Sequence, residues 1–295
     1  MDEAIVLENI LEKEVFSTVD LVEDLITHKL YALKKIICHS PEDQKIALTE
    51  VDYYKLFDSQ HIIECIDSDY VGIPNMTSNS TSQILILLPY CKRGTLHHEL
   101  MSRMKAGVHM EEKVVLKIFR HICEGVRVMH STAPYPLVHR DLKTSNILLK
   151  DDMLPLIMDL GSMTKARVEI TSSREARKLQ DEAAERSSMP YRAPELFNVE
   201  STGSVDERTD IWSLGCLLYA MCFYKSPFDS VYERGDSVAL AVVGGKIPFP
   251  EAHPYSEDMV DLITSMIQVN PEERPYIDWV IESVEQLMKK MSGVV

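Results

Sequence analysis

The chain has 295 residues, 45% hydrophobic and 26% charged, enough for one large two-part domain with an ample core. Its formal net charge of −15 argues against sequence-independent binding to nucleic acid or to an anionic membrane. The six cysteines, Cys38, Cys65, Cys91, Cys123, Cys216 and Cys222, form no Cys-x-x-Cys or zinc spacing. With no signal peptide in view, they read as free thiols in a reducing compartment.

In chain order, residues 5–11 and 16–23 read as two strands of a hairpin and residues 29–38 as a third. Ser40-Pro41 opens a helix, with proline in the first turn, acids after it, and Ile46, Val51, Tyr54 and Phe57 as the apolar side. Residues 62–66 and 84–88 give two more strands around a Ser/Thr/Asn-rich loop. The sequons at Asn75 and Asn79 read as part of that polar loop. The link Pro89-Tyr90-Cys91-Lys92-Arg93-Gly94 sits where a hinge belongs. From Thr95 the pattern turns helical, and Val115, Ile118, Ile122, Val126 and Met129 fall on one face of a long helix. Pro134 and Pro136 end it. The longest apolar run, residues 211–224, is too short for a membrane span and contains Ser213 and Gly215, so it reads as a buried core helix. The expected class is α+β: a small lobe of five antiparallel strands and one helix, joined to a larger, mainly helical lobe. No repeat of 20–50 residues is present.

The most informative stretch is His139-Arg140-Asp141-Leu142-Lys143-Thr144-Ser145-Asn146. It supplies an Asp to orient a hydroxyl, a Lys to meet a moving phosphate, and an Asn to hold a metal. Phosphoryl transfer asks little covalent chemistry of a protein, so positioning and electrostatics carry the rate. The order H-R-D-L-x-x-x-N is a protein-kinase signature. Over residues 5–288 the chain resembles the eukaryotic protein kinases, which implies the two-lobed kinase fold, with residues 1–88 as N-lobe, 89–94 as hinge and 95–295 as C-lobe.

The resemblance implies roles residue by residue. Tyr31-Ala32-Leu33-Lys34 matches the third-strand V-A-I-K pattern, so Lys34 is expected to grip the α- and β-phosphates of ATP, held by Glu50. Asp141 and Lys143 are the catalytic pair. Asn146 and Asp159, in Asp159-Leu160-Gly161, chelate Mg²⁺, or Mn²⁺ in its place; Leu160 takes the place of the usual Phe. Leu11, Val19, Ala32 and Leu148 enclose adenine, Pro89, Tyr90 and Cys91 meet its edge, and Leu88 gates the back of the pocket. Glu195 of Ala193-Pro194-Glu195 is expected to pair with Arg274, and Asp210 to bind the backbone of the catalytic loop. Ser188 is expected to bond Asp141 and Lys143. Thr171, Ser172, Ser173, Ser187 and Ser188 are candidate phosphosites, and residues 174–186 carry charges at helical spacing. Lys143 favours a serine/threonine kinase acting on protein hydroxyls, of the non-specific EC 2.7.11.1 type.

Within the kinases, strings such as Lys92-Arg93-Gly94-Thr95-Leu96 and Tyr191-Arg192-Ala193-Pro194-Glu195-Leu196-Phe197 resemble the Numb-associated kinase family. That resemblance implies membrane trafficking or secretion, and a cytoplasmic protein peripheral to Golgi membranes. Family members attach through N-terminal acylation, whereas Met1-Asp2 provides no N-myristoylation site. The chain also departs from its relatives between Leu11 and Phe16, where it reads Glu12-Lys13-Glu14-Val15 in place of a glycine-rich turn. Glycine there lets the backbone close over phosphates and visit positive φ, and Val15 is β-branched. A carboxylate 4 Å from a phosphate charge costs about 1 kcal/mol in water and roughly 4 at an effective dielectric of 20. Three explanations stand: a slow kinase; a pseudokinase or ATP-binding interaction module that keeps the fold and little of the chemistry; or an alternative N-terminus.

Overall fold

The computed structural model describes residues 4–13, 17–74 and 80–293. Glu14, Val15 and the sequon asparagines Asn75 and Asn79 lie outside the described residues. The chain divides into two compact units, Met1–Lys92 and Arg93–Val295.

The smaller unit is an antiparallel five-stranded sheet in the order β1-β2-β3-β5-β4, with one helix. Its strands are β1 (Ala4–Lys13), β2 (Ser17–Asp24), β3 (Leu30–Cys38), β4 (Asp67–Val71) and β5 (Ser82–Pro89), and α1 is Pro41–Leu56. Residues directly opposite in neighbouring strands share a face. Val19 faces Lys34, Lys34 faces Ile86, and Ala32 faces Leu88, so these five side chains lie on one side. Ile84 and Ile86 there are fully buried.

Two expectations need correction. The fourth strand is Asp67–Val71, not 62–66. Ile62 and Ile63 are buried, so that apolar run is core-filling loop, tied on by Ile66 N–H donating to Leu87 O at 2.8 Å. In α1 the buried face is Ala47, Glu50, Val51 and Tyr54, while Ile46 is 44% exposed. Those four follow i, i+3, i+4, i+7; Ile46 stands about 100° round from Ala47 and misses the stripe. The helix begins where expected: Ser40 Oγ accepts Asp43 N–H at 3.1 Å, and Asp43 Oδ2 accepts Ser40 N–H at 3.0 Å, a reciprocal capping box.

The larger unit contains α2 (Leu96–Ala106), α3 (Glu112–His130), the short strands β6 (Leu137–Val138), β7 (Ile147–Leu149), β8 (Pro155–Ile157), β9 (Thr164–Lys165) and β10 (Val168–Ile170), then α4 (Ser173–Arg186), β11 (Gly203–Val205), α5 (Arg208–Phe223), α6 (Asp229–Glu233), α7 (Val238–Val243), α8 (Glu257–Met266) and α9 (Ile277–Met291). The stripe Val115, Ile118, Ile122, Val126 and Met129 is buried on α3, which packs on α9. Helix α5 is buried from Arg208 to Cys222 and packs on α8, as its apolar sequence demands. No helix among the described residues is long and apolar enough to cross a membrane. Cys38, Cys123, Cys216 and Cys222 are buried thiols; Cys65 and Cys91 are half-buried.

The α5–α8 contact depends on Gly215. A Cβ there would lie 2.6 Å from Ile267 Cγ1 and 2.9 Å from Met266 Cβ, both closer than packed atoms tolerate. Gly215→Ala is expected to cost about 1–3 kcal/mol of stability, read as a fall in denaturation midpoint at unchanged slope.

Candidate active site

In the smaller unit, Lys34 and Glu50 form the one predicted pair. Lys34 Nζ donates to Glu50 Oε1 at 2.7 Å, with the two side chains 11% and 7% exposed. Strand β3 aims Lys34 toward α1, and Glu50 lies on the buried α1 face because it is i+3 from Ala47. Lys35 points to the opposite face and pairs with Asp20 at 2.7 Å. Val19 and Ala32 are half-buried and Leu88 buried, so the sheet offers an apolar surface beside a cation. Pro89 ends β5, and Tyr90 and Cys91 follow it, all three half-buried. Leu11, on β1, is 43% exposed.

In the larger unit, the loop between β6 and β7 brings Asp141, Lys143 and Asn146 together. Lys143 Nζ lies 2.9 Å from Asp141 Oδ2 and donates to Ser188 Oγ at 2.9 Å. Ser188 N–H donates to Asp141 Oδ1 at 2.7 Å, and Asn146 Nδ2 donates to Asp141 O at 2.8 Å and Oδ2 at 3.1 Å. Asp141 is thus held by donors on both oxygens. Leu148 is half-buried on β7.

Asp159 follows β8 in the left-handed region, at φ 60°, where Asp is more tolerated than most residues. Just beyond the β7–β8 pairing, Met158 N–H donates to Asn146 O at 3.0 Å, one residue before Asp159. With Asn146 Nδ2 engaged by Asp141, the amide presents its oxygen elsewhere. Asn146 and Asp159 both carry side-chain oxygens, the donor type that Mg²⁺ prefers. No group of three or more His, Cys, Asp or Glu suited to a metal occurs among the described residues, so a protein-only cage is not offered. Leu160 is fully buried. Asp151 and Asp152 form a turn, with Asp152 Oδ1 accepting Leu154 N–H.

Beneath the loop lies Asp210, fully buried. Its Oδ2 accepts His139 N–H at 2.8 Å and His130 Nε2–H at 3.1 Å, and Oδ1 accepts Arg140 N–H at 3.0 Å. Burial pushes this carboxyl up, but the bond and charge of His130 and the His139 side outweigh it and hold the group below its usual 3.8. Arg140 sits at φ 68° and is buried; burial also pulls its guanidinium down, against the nearby charges of Asp210, Glu195 and Glu182. His139 accepts Asp141 N–H on Nδ1 at 3.3 Å, so Nε2 carries the proton and donates to Met158 O at 3.0 Å. One imidazole thus links the Asp141 segment to the segment leading into Asp159. Arg274 and Glu195 form a two-point pair at 2.7 and 2.6 Å, as expected.

Sequence reasoning missed His130, 80 residues from Asp210. It also left residues 174–186 as a charged helix, whereas α4 buries Ala176, Leu179 and Ala183. Those three are spaced three and four apart, a signal outweighed by the charges between them. Among the candidate phosphosites, Thr171 and Ser172 are exposed, whereas Ser187 is buried with its hydroxyl donating to Ala183 O at 2.6 Å.

A model of the protein kinase domain matches residues 10–286. The chain is 41% identical over 278 residues to serine/threonine-protein kinase 16 of Rattus norvegicus, covering 94% of this chain and 88% of the relative. The Homo sapiens protein of that name matches with the same identity and coverage. A probable serine/threonine-protein kinase of Dictyostelium discoideum is 31% identical over 350 residues, covering 96% of this chain and 94% of its own.

Because its folded pKa lies below the unfolded value near 3.8, Asp210 contributes stability that is present above about pH 4 and lost as pH falls through the lower folded value. Asp210→Asn is expected to cost about 3 kcal/mol at pH 7, since an amide cannot accept all three donors. It should also flatten the acid limb of the stability–pH curve, measured by denaturant titration at pH 3 to 7.

Proposed function

Because the chain belongs to the protein kinase family, we propose that it transfers the γ-phosphate of Mg-ATP to serine and threonine hydroxyls of proteins, as a non-specific kinase of the EC 2.7.11.1 type. The arrangement that carries this reading is Asp141 held by Ser188 N–H, Lys143 and Asn146. Asp141 orients the acceptor hydroxyl and takes its proton as the oxygen–phosphorus bond forms and the bond to the departing ADP breaks. Lys143 neutralises charge on the transferring group. Asn146 and Asp159 would hold Mg²⁺, which would offset the phosphate charge. Lys34, kept in place by Glu50, grips the α- and β-phosphates. Leu11, Val19, Ala32 and Leu148 receive adenine, with Pro89, Tyr90 and Cys91 at its edge and Leu88 behind it. Residues 1–88 and 95–295 serve as the two lobes and 89–94 as the hinge. As a Numb-associated kinase, the protein acts in the cytoplasm, in membrane trafficking or secretion at Golgi membranes.

A second reading, an ATP-binding interaction module with weak or no transfer, rests on Glu12-Lys13-Glu14-Val15. In that reading the fold and the Lys34–Glu50 pair persist while the missing glycines slow or abolish turnover.

Saturating Mg-ATP is expected to raise the melting temperature by about 5 °C or more, and Asp159→Ala to remove the Mg²⁺ dependence. In a phosphotransfer assay Asp141→Asn should lower kcat about 10²–10⁴-fold. Stabilisation without turnover would select the interaction module, and no response to millimolar ATP would sink both readings. Replacing Glu12, Glu14 and Val15 together by glycine is expected to raise activity by about one to three decades, the kinetic equivalent of relieving roughly 1–4 kcal/mol.

A further inference from the structure

The C-terminus of α4 leaves carbonyls that an isolated helix cannot satisfy, and two of them, Ala184 O and Arg186 O, are collected by side chains from elsewhere. Ser162, three residues after Asp159, donates its hydroxyl to Arg186 O at 2.7 Å. Arg192 donates from Nη2 to Ser187 O at 2.8 Å and to Ala184 O at 3.3 Å, and from Nε to Ser187 Oγ at 2.8 Å. The Arg192 guanidinium is buried and lies over the Phe197 ring, 4.9 Å from its centroid. A cation at a helix C-terminus is favoured by the helix dipole, and a planar fork with several donors suits a cluster of carbonyls better than an ammonium does.

The residue directly after this grip is Ser188, whose amide and hydroxyl meet Asp141 and Lys143. We propose that Arg192 is a positioning residue for phosphoryl transfer, which by clasping Ser187 and the end of α4 fixes Ser188 and so aims Asp141 and Lys143. This rests on the assignment of Asp141 as the group that takes the acceptor proton. Arg192 makes no hydrogen bond to Asp141 or Lys143, although the Asp141 charge acts on its guanidinium; its grip reaches Ser188 through one peptide link. The same helix end is held by Ser162 from the Asp159 turn, so α4 ties the metal-side turn and the Asp141 loop to one anchor. Arginine supplies three contacts, lysine at most one or two, and methionine none while keeping the apolar stem.

The test uses the full chain, a generic protein substrate and Mg-ATP. Arg192→Met is expected to lower kcat about 30- to 100-fold with the ATP KM within about twofold of wild type, because misplacement of a catalytic group costs rate rather than binding. Ser187→Ala removes the Arg192 Nε contact and the hydroxyl's bond to Ala183 O with little change of volume, and is expected to lower kcat about 3- to 10-fold; Arg192→Lys should fall between wild type and Arg192→Met. Hydrogen exchange supplies a readout that needs no turnover: the Ser188 amide should exchange at least about tenfold faster in Arg192→Met, while amides of α3 and α5 keep their protection. A kcat within twofold of wild type in both Arg192→Met and Ser187→Ala overturns the proposal. So does an unchanged Ser188 amide alongside a fallen kcat. A wild-type chain with no turnover would instead overturn the kinase reading, and the Ser188 amide would still decide whether Arg192 fixes that residue. Should Arg192→Met fail to fold, Ser187→Ala carries the same two measurements.

Discussion

One buried carboxylate organises the larger unit. Asp210 enters the core on α5 with no solvent contact, and its two oxygens are engaged by the His139 and Arg140 amides and by His130. A charge so placed is tolerated only when fully hydrogen-bonded. Meeting that requirement forces the backbone of residues 139 and 140 to turn toward it, and Arg140 accepts a left-handed φ to do so. Such a conformation costs on the order of 1–3 kcal/mol for a non-glycine residue and persists only where its surroundings over-determine it. The next residue is Asp141. Its orientation is thus a consequence of what lies under the loop as much as of the contacts it makes itself.

A second constraint comes from the other direction. Asp141, Lys143 and Ser188 form a closed set of bonds in which an acid, a base and a neutral donor neutralise and align one another. Ser188 belongs to a segment more than forty residues downstream, so the set is a product of tertiary structure. His139 links the same loop to Met158 and thereby to the residue before Asp159. Side chains and backbone alternate in this network, which limits how far any one member moves without disturbing the rest.

Much of this was legible in the sequence, for physical reasons that differ by element. Helices α1, α3 and α5 were legible because long apolar stripes and caps have few structural solutions, and the chemical spacing around Asp141 has fewer still. The fourth strand was misplaced because a short apolar run buries equally well as loop or strand; Ile62 and Ile63 entered the core while the exposed, acidic Asp67–Val71 took the edge position on backbone bonding alone. Ile46 was assigned to the wrong side of α1 because apolar character was counted before angular position. His130 and Arg192 carried no local signal: each acts on residues that meet it only after folding, and each reads in sequence as an ordinary polar residue. The roles of Lys34, Glu50 and the apolar residues near them came from resemblance, to which the structure adds the 2.7 Å pair and a shared sheet face.

The distribution of sulfur gives the molecule a built-in record of its own opening. Cys38 is sealed in the smaller unit and Cys123, Cys216 and Cys222 in the larger, while Cys65 and Cys91 are only half-covered. Burial also pushes the sealed thiols above their usual range, leaving little thiolate for an alkylating reagent. Mass spectrometry of alkylated chains would therefore resolve breathing of each unit by which cysteine gains mass first, with no introduced probe.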